Sequence, residues 1–118
     1  MMDIIFYSEL GQFPVVNFID SLNSGEKAEI IRYFDLLEEF GLDLGTPYIK
    51  KVNSKYDLWQ MRIPYGENDL YFFFFPLNMS EFIFTHGIKK TPQVDFVYEF
   101  KTALKRLVDF RGREGVEQ

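Results

Sequence analysis

The stretch YDLWQMRIPYGENDLYFFFF, Tyr56 to Phe75, decides how this chain folds. Its first part, Tyr56 to Ile63, alternates. Trp59, Met61 and Ile63 fall on one face and Leu58, Gln60 and Arg62 on the other, the period of a half-buried strand. Pro64-Tyr65-Gly66-Glu67-Asn68 is turn material. Leu70 to Phe75 then runs apolar on both faces, which fits a strand in the middle of a sheet, covered on both sides. The stretch therefore reads as two antiparallel strands, the second of them central.

Outward from this hairpin, Leu77-Asn78-Met79-Ser80 turns the chain into a third strand, Glu81 to His86. Upstream, Asp3 to Tyr7 is a β-rich run. Pro14 suits the first position of a helix, with Val15, Phe18, Ile19 and Leu22 at helical spacing. Asn23 (or Ser24) caps a second helix, and Glu26 completes a capping box with Asn23. Ile30, Tyr33, Phe34, Leu37 and Phe40 form its apolar stripe, and Gly41 its C-cap. Leu42 to Lys55 reads as a loop. After the third strand, Thr91 as N-cap and Pro92 as first residue predict a last helix, with the stripe Phe96, Phe100, Ala103, Leu107 and Phe110. The expected order is β-α-α-β-β-β-α: one small α+β domain over residues 1–112 with an antiparallel sheet, and a flexible tail over 113–118.

Composition bounds the function. A chain of 118 residues with 47% hydrophobic and 19% aromatic content can build one real core. There is no cysteine and a single histidine, so thiol chemistry, disulfides and cysteine- or histidine-rich metal sites are not expected. No basic segment precedes a long apolar run at the N-terminus, and the longest apolar run is too short to span a bilayer. A cytoplasmic protein is the expectation. The net charge is −5, but it is unevenly spread. Residues 1–49 hold nine acids against two bases, and residues 82–113 hold seven bases against three acids. An acidic first half and a basic last third imply two different surfaces.

Several motifs together resemble the RelE/ParE superfamily of toxins from toxin–antitoxin modules, and within it the HigB-like, phage-derived branch. They are Phe13-Pro14-Val15-Val16-Asn17-Phe18-Ile19, Leu36 to Lys51 (LLEEFGLDLGTPYIKK), Leu58-Trp59-Gln60-Met61-Arg62, His86 to Pro92 (HGIKKTP) and Ala103-Leu104-Lys105-Arg106-Leu107. The resemblance covers nearly the whole chain. It implies a metal-independent endoribonuclease without cofactors, an mRNA interferase that cuts messages on the ribosome. A helix-turn-helix antitoxin holds such a toxin silent, and no membrane is involved. In this chemistry the 2′-hydroxyl attacks the adjacent phosphate while cations neutralise the charge that builds on phosphoryl oxygens. One group accepts a proton and another donates one.

The resemblance puts Arg62 at the scissile phosphate. Lys50 or Lys51, leading into the same strand, serves as phosphate anchor or proton acceptor. Lys89 or Lys90 grips phosphate or ribosomal RNA, a contact that weakens with salt. Strict alternation puts His86 on the face of Phe82 and Phe84 as a structural residue. A bulge at Gly87 would instead turn it into the cleft as an acid or base. Tyr71 stands where many relatives carry an arginine, free to stack on a base or donate a hydrogen bond. This departure keeps a second class of function open: a non-catalytic module that binds an antitoxin-like partner, or a ParE-like gyrase inhibitor.

Overall fold

The computed structural model describes residues 1–114. The Tyr56–Phe75 stretch forms the expected hairpin: β3 (Leu58–Ile63) and β4 (Leu70–Pro76), antiparallel, with Met61 opposite Phe72 and Arg62 opposite Tyr71. β4 is the middle strand of five. β5 (Glu81–Lys89) lies beside it, antiparallel, and β1 (Asp3–Phe6) closes that edge in parallel with β5. The sheet is thus mixed rather than wholly antiparallel. The other edge is β2 (Ile49–Asn53), inside the segment expected to be loop. A short 3-10 turn, Gly41–Leu44, precedes it. The Ile-Lys-Lys-Val-Asn run lacks clean alternation. It suits an edge strand, where lysines keep the open side from pairing with other chains.

Two helices cover one face of the sheet: α1 (Pro14–Asp20) and α2 (Ser24–Phe40). Asn23 caps α2 as expected, its side chain accepting from the Glu26 amide while the Glu26 carboxylate accepts from the Asn23 amide. Gly41 ends α2 with a positive φ of 58°. Beneath this hairpin Ile63, Phe72, Phe74, Phe82 and Phe84 are sealed with Val15, Ile30, Tyr33 and Leu37. The packing leaves no room at Gly87, where a Cβ would come within 2.6 Å of the Phe18 ring and 2.8 Å of the Phe72 ring.

One helix covers the opposite face. α3 (Phe96–Glu114) lays Phe96, Phe100, Ala103, Leu104, Leu107 and Phe110 against Leu58, Phe73, Phe75 and Ile83. It starts later than Thr91 and Pro92 suggested. The Asp95 carboxylate accepts from the amides of Val97 and Tyr98, and an anion there complements the positive helix end. Thr91 instead closes a turn, its carbonyl accepting from the Val94 amide. α3 also runs on to Glu114, into the segment expected to be tail, and the rest of that tail lies outside the described residues. No helix among the described residues is long and apolar enough to cross a membrane.

Candidate functional site

Because α3 begins at Phe96, it shields only part of its face of the sheet. Beyond its first turn, toward β2 and the β3–β4 turn, that face is open. Cross-strand register fixes what stands there. Lys50 pairs with Gln60, and Arg62 with Tyr71; paired residues share a face, so all four project on the α3 side. With Thr46, Pro47, Tyr48 and Ile49 they line a cleft of about 430 Å³. Tyr71 is also a wall of a second depression, of about 320 Å³, formed with Glu67, Asn68, Asp69, Lys90, Thr91 and Pro92. The two depressions make one groove with Tyr71 at its centre.

The groove holds three cations, Lys50, Arg62 and Lys90, against two carboxylates, Glu67 and Asp69, around an aromatic middle. Arg62 is half exposed, and its Nε donates to Asp69 Oδ2 at 2.7 Å. The Asp69 carboxylate first, and Tyr71 after it, hold the guanidinium charged even more firmly than usual. Tyr71 meets the Phe96 ring edge-on at 4.9 Å. The Lys90 ammonium sits 5.7 Å from the centre of the Tyr71 ring and 4.9 Å from that of Phe96. A cation over two aromatic faces is held there without losing its charge to a carboxylate.

Four of the seven expected residues therefore meet: Arg62, Lys50, Tyr71 and Lys90. The pleat sends the neighbours of the two lysines to the other face. Lys51, paired with Trp59, lies 5.6 Å from the centre of that ring and 3.3 Å from Asp57 Oδ1. Lys89 reaches back to α2, its Nζ 2.5 Å from Glu26 Oε2. The Glu26 side chain is 5% exposed, and its hydrogen bond with Lys89 outweighs its burial, so its carboxyl titrates below the ordinary range. Lys51 and Lys89 stand outside the groove as partners of carboxylates.

His86 corrects the alternation argument. β5 carries an extra residue, Thr85, between the pairs Phe74–Phe84 and Phe73–His86. This bulge lies one residue before His86 and turns the ring away from Phe82 and Phe84, onto the α3 face. There it stacks on Phe73 at 6.3 Å and is bonded at both nitrogens. The Arg106 guanidinium donates to Nδ1 at 2.9 Å, so Nε2 carries the proton and donates to the Glu99 carboxylate at 2.5 Å. Burial lowers its pKa below 6.5, Glu99 pushes back up, and the Arg106 charge adds to the lowering. A ring fixed as the neutral tautomer by two partners is a strut between β5 and α3.

Sequence reading missed two groove residues. Gln60 is buried and polar, and only the strand alternation hinted at its position. Asp69 follows only from the strand register: with Ile63 opposite Leu70, the residue before Leu70 stands within reach of Arg62. Among the described residues, no group of three or more His, Cys, Asp or Glu side chains is placed to hold a metal ion.

Comparison with known families places the chain. The profile of the phage-derived protein Gp49-like family (DUF891) matches residues 17–108. The chain belongs to that family. The match runs from α1 to α3 and takes in every residue of the groove, and the family is RelE/ParE-like in kind. No curated protein matches the chain at a significant level.

Proposed function

We propose that this Gp49-like protein is the toxin of a toxin–antitoxin module, an RNA-cleaving enzyme of the HigB type that acts on messages in the ribosome. The observation that carries this reading is the convergence of Arg62, Lys50 and Lys90 around Tyr71 on the uncovered part of one sheet face. Three cations and an aromatic ring in one open groove suit a nucleic-acid strand better than an apolar small molecule.

The reaction forms a bond from the 2′-oxygen to phosphorus and breaks the bond from phosphorus to the 5′-oxygen. It leaves a 2′,3′-cyclic phosphate and a 5′-hydroxyl end. One proton leaves the 2′-hydroxyl and one arrives on the departing oxygen. Arg62 and Lys50 supply the charge stabilisation, because negative charge grows on the non-bridging oxygens as the bond forms. Tyr71 gives a flanking base a surface to stack on, and Lys90 takes a neighbouring phosphate. The ribosome supplies the alignment of the message. A helix-turn-helix antitoxin is the partner that keeps the activity off.

Two observations favour a second reading, a binding module without catalysis. Tyr71 replaces an expected cation, and both nitrogens of His86 are already engaged. Inducing wild type and Arg62→Ala in bacterial cells, with growth curves and mapping of message 5′ ends, separates the two. New ends inside reading frames with wild type alone support the enzyme. Intact messages with both proteins favour the binding module.

A further inference from the structure

We infer that Asp69 is a positioning residue of this groove: it holds Arg62 by Nε alone, leaving the two terminal amino groups for phosphate. The inference rests on the reading of Arg62 as the phosphate ligand. Its starting point is the way the ion pair is made. A carboxylate competing with phosphate takes the fork of a guanidinium, two parallel bonds. Here the contact with Asp69 is a single one, from Nε to Asp69 Oδ2 at 2.7 Å, with the Tyr71 side chain beside the guanidinium. A guanidinium has five N–H donors, so four remain on the two terminal nitrogens, enough to bind a phosphate in bidentate fashion.

The carboxylate is the fixed member of the pair. The Asp69 side chain is 23% exposed against 50% for Arg62. Its backbone carbonyl accepts from the Lys90 amide at 2.9 Å, tying it to the end of β5, and it enters directly into the central strand β4. Asp69 therefore joins three parts of the groove. Its side chain orients Arg62, its carbonyl sets the backbone at Lys90, and two residues on stands Tyr71. A long arginine held this way loses less freedom when the phosphate arrives, which speeds chemistry more than it tightens binding. The cost is a negative charge close to a phosphate.

Those opposed effects give a signature. Asp69→Ala removes both the support and the repulsion. It binds RNA as tightly as wild type or tighter, yet cleaves about 10- to 100-fold more slowly. Asp69→Asn keeps an oxygen to accept from Nε and recovers most of that rate. The cleavage assay uses ribosomes programmed with a defined message, reading rate and half-saturating concentration separately. Binding is read by anisotropy of a short 2′-O-methyl oligonucleotide, which cannot be cut. In the same titration, the NMR signal of the Arg62 Nε–H persists in wild type and Asp69→Asn, while the terminal N–H signals shift. Melting curves confirm that each variant is folded.

If Asp69→Ala cleaves as fast as wild type or faster, Asp69 is a competitor for Arg62 and the inference falls. Displacement of the Nε–H signal by the oligonucleotide has the same meaning. If wild type and Arg62→Ala bind the oligonucleotide equally, the phosphate reading of Arg62 fails instead, whatever the Asp69 variants do.

Discussion

Lys50 and Lys51 are neighbours in sequence, and so are Lys89 and Lys90, yet each pair is divided between the two faces of the sheet. One lysine of each pair enters the open groove on the α3 side. The other turns to the helical-hairpin face and finds a carboxylate, Asp57 or Glu26. The pleat alone accounts for the division, since successive side chains point to opposite faces. What the faces do with their lysines differs because their covers differ. The hairpin closes its face over a layer of phenylalanines, so a cation at its rim is paired. α3 begins only at Phe96 and leaves the part of its face at Lys50, Arg62 and Tyr71 open, so cations there remain available to an anionic ligand. The same residue type is tied into the fold on one side and left open to a ligand on the other.

The largest expected effects test that division directly. On the sealed face, Phe74 is fully buried, stacked on Phe84 at 5.0 Å and meeting Phe82 edge-on at 5.2 Å. Phe74→Ala should cost about 3–5 kcal/mol of stability in chemical denaturation. On the open face, Arg62→Ala should leave the melting temperature near that of wild type, because the ion pair it breaks is exposed. It should nevertheless lower message cleavage by about 100- to 1,000-fold, the effect of removing one donor from a developing phosphoryl charge. A large loss of stability in Arg62→Ala would mean that the open face is structural after all.

The sheet's layout was largely legible in sequence because its signals are local. Alternation in Leu58–Ile63, the all-apolar Leu70–Phe75 and the Asn23–Glu26 capping box each specify an element without outside help. What was not legible depends on contacts across the fold. β2 has little β pattern of its own and exists because β3 offers it an edge. The parallel pairing of β1 with β5 is a matter of chain path, which short-range pattern does not encode. The bulge at Thr85 decides the face of His86, and it meets α3, whose Ala103 carbonyl accepts from the Thr85 hydroxyl. Within the groove, Arg62 could be read from its strand and Lys50 only as one of two neighbours. Asp69 was hidden because its partner lies across a turn.

A smaller effect separates Lys89 from Lys90. Lys89→Ala leaves the Glu26 carboxylate buried without its cation and should cost about 1–2 kcal/mol, kept modest because the Lys89 side chain is 36% exposed. It should leave RNA binding unchanged. Lys90→Ala should do the reverse, weakening binding of a short oligonucleotide and reducing its salt dependence by about one phosphate contact. The Glu26 pair also predicts a pH effect. The folded carboxyl titrates below its ordinary 4.5, so the stability it adds is complete above 4.5 and is lost as pH falls through the folded value. In Lys89→Ala that acid slope should flatten. An unchanged slope would show that the lysine and the carboxylate do not act as a pair.

The smallest effect concerns His86, the one titratable residue that both readings of the groove lay claim to. Its folded pKa lies below 6.5, chiefly through burial, against the upward pull of Glu99. The neutral ring is the form that fits between Arg106 and Glu99, so its contribution to stability is complete above 6.5 and erodes as pH falls toward the folded value. Melting temperature should therefore decline gently from about pH 7.5 to about 5.5, and His86→Gln should flatten that decline while lowering the starting point. Cleavage provides the contrast between strut and catalyst. A strut linking β5 to α3 affects activity only as far as it affects folding, so His86→Gln should cleave in proportion to the folded fraction. A loss of cleavage of 100-fold or more in a fully folded His86→Gln would place the ring in the chemistry, and would extend the groove beneath the first turns of α3.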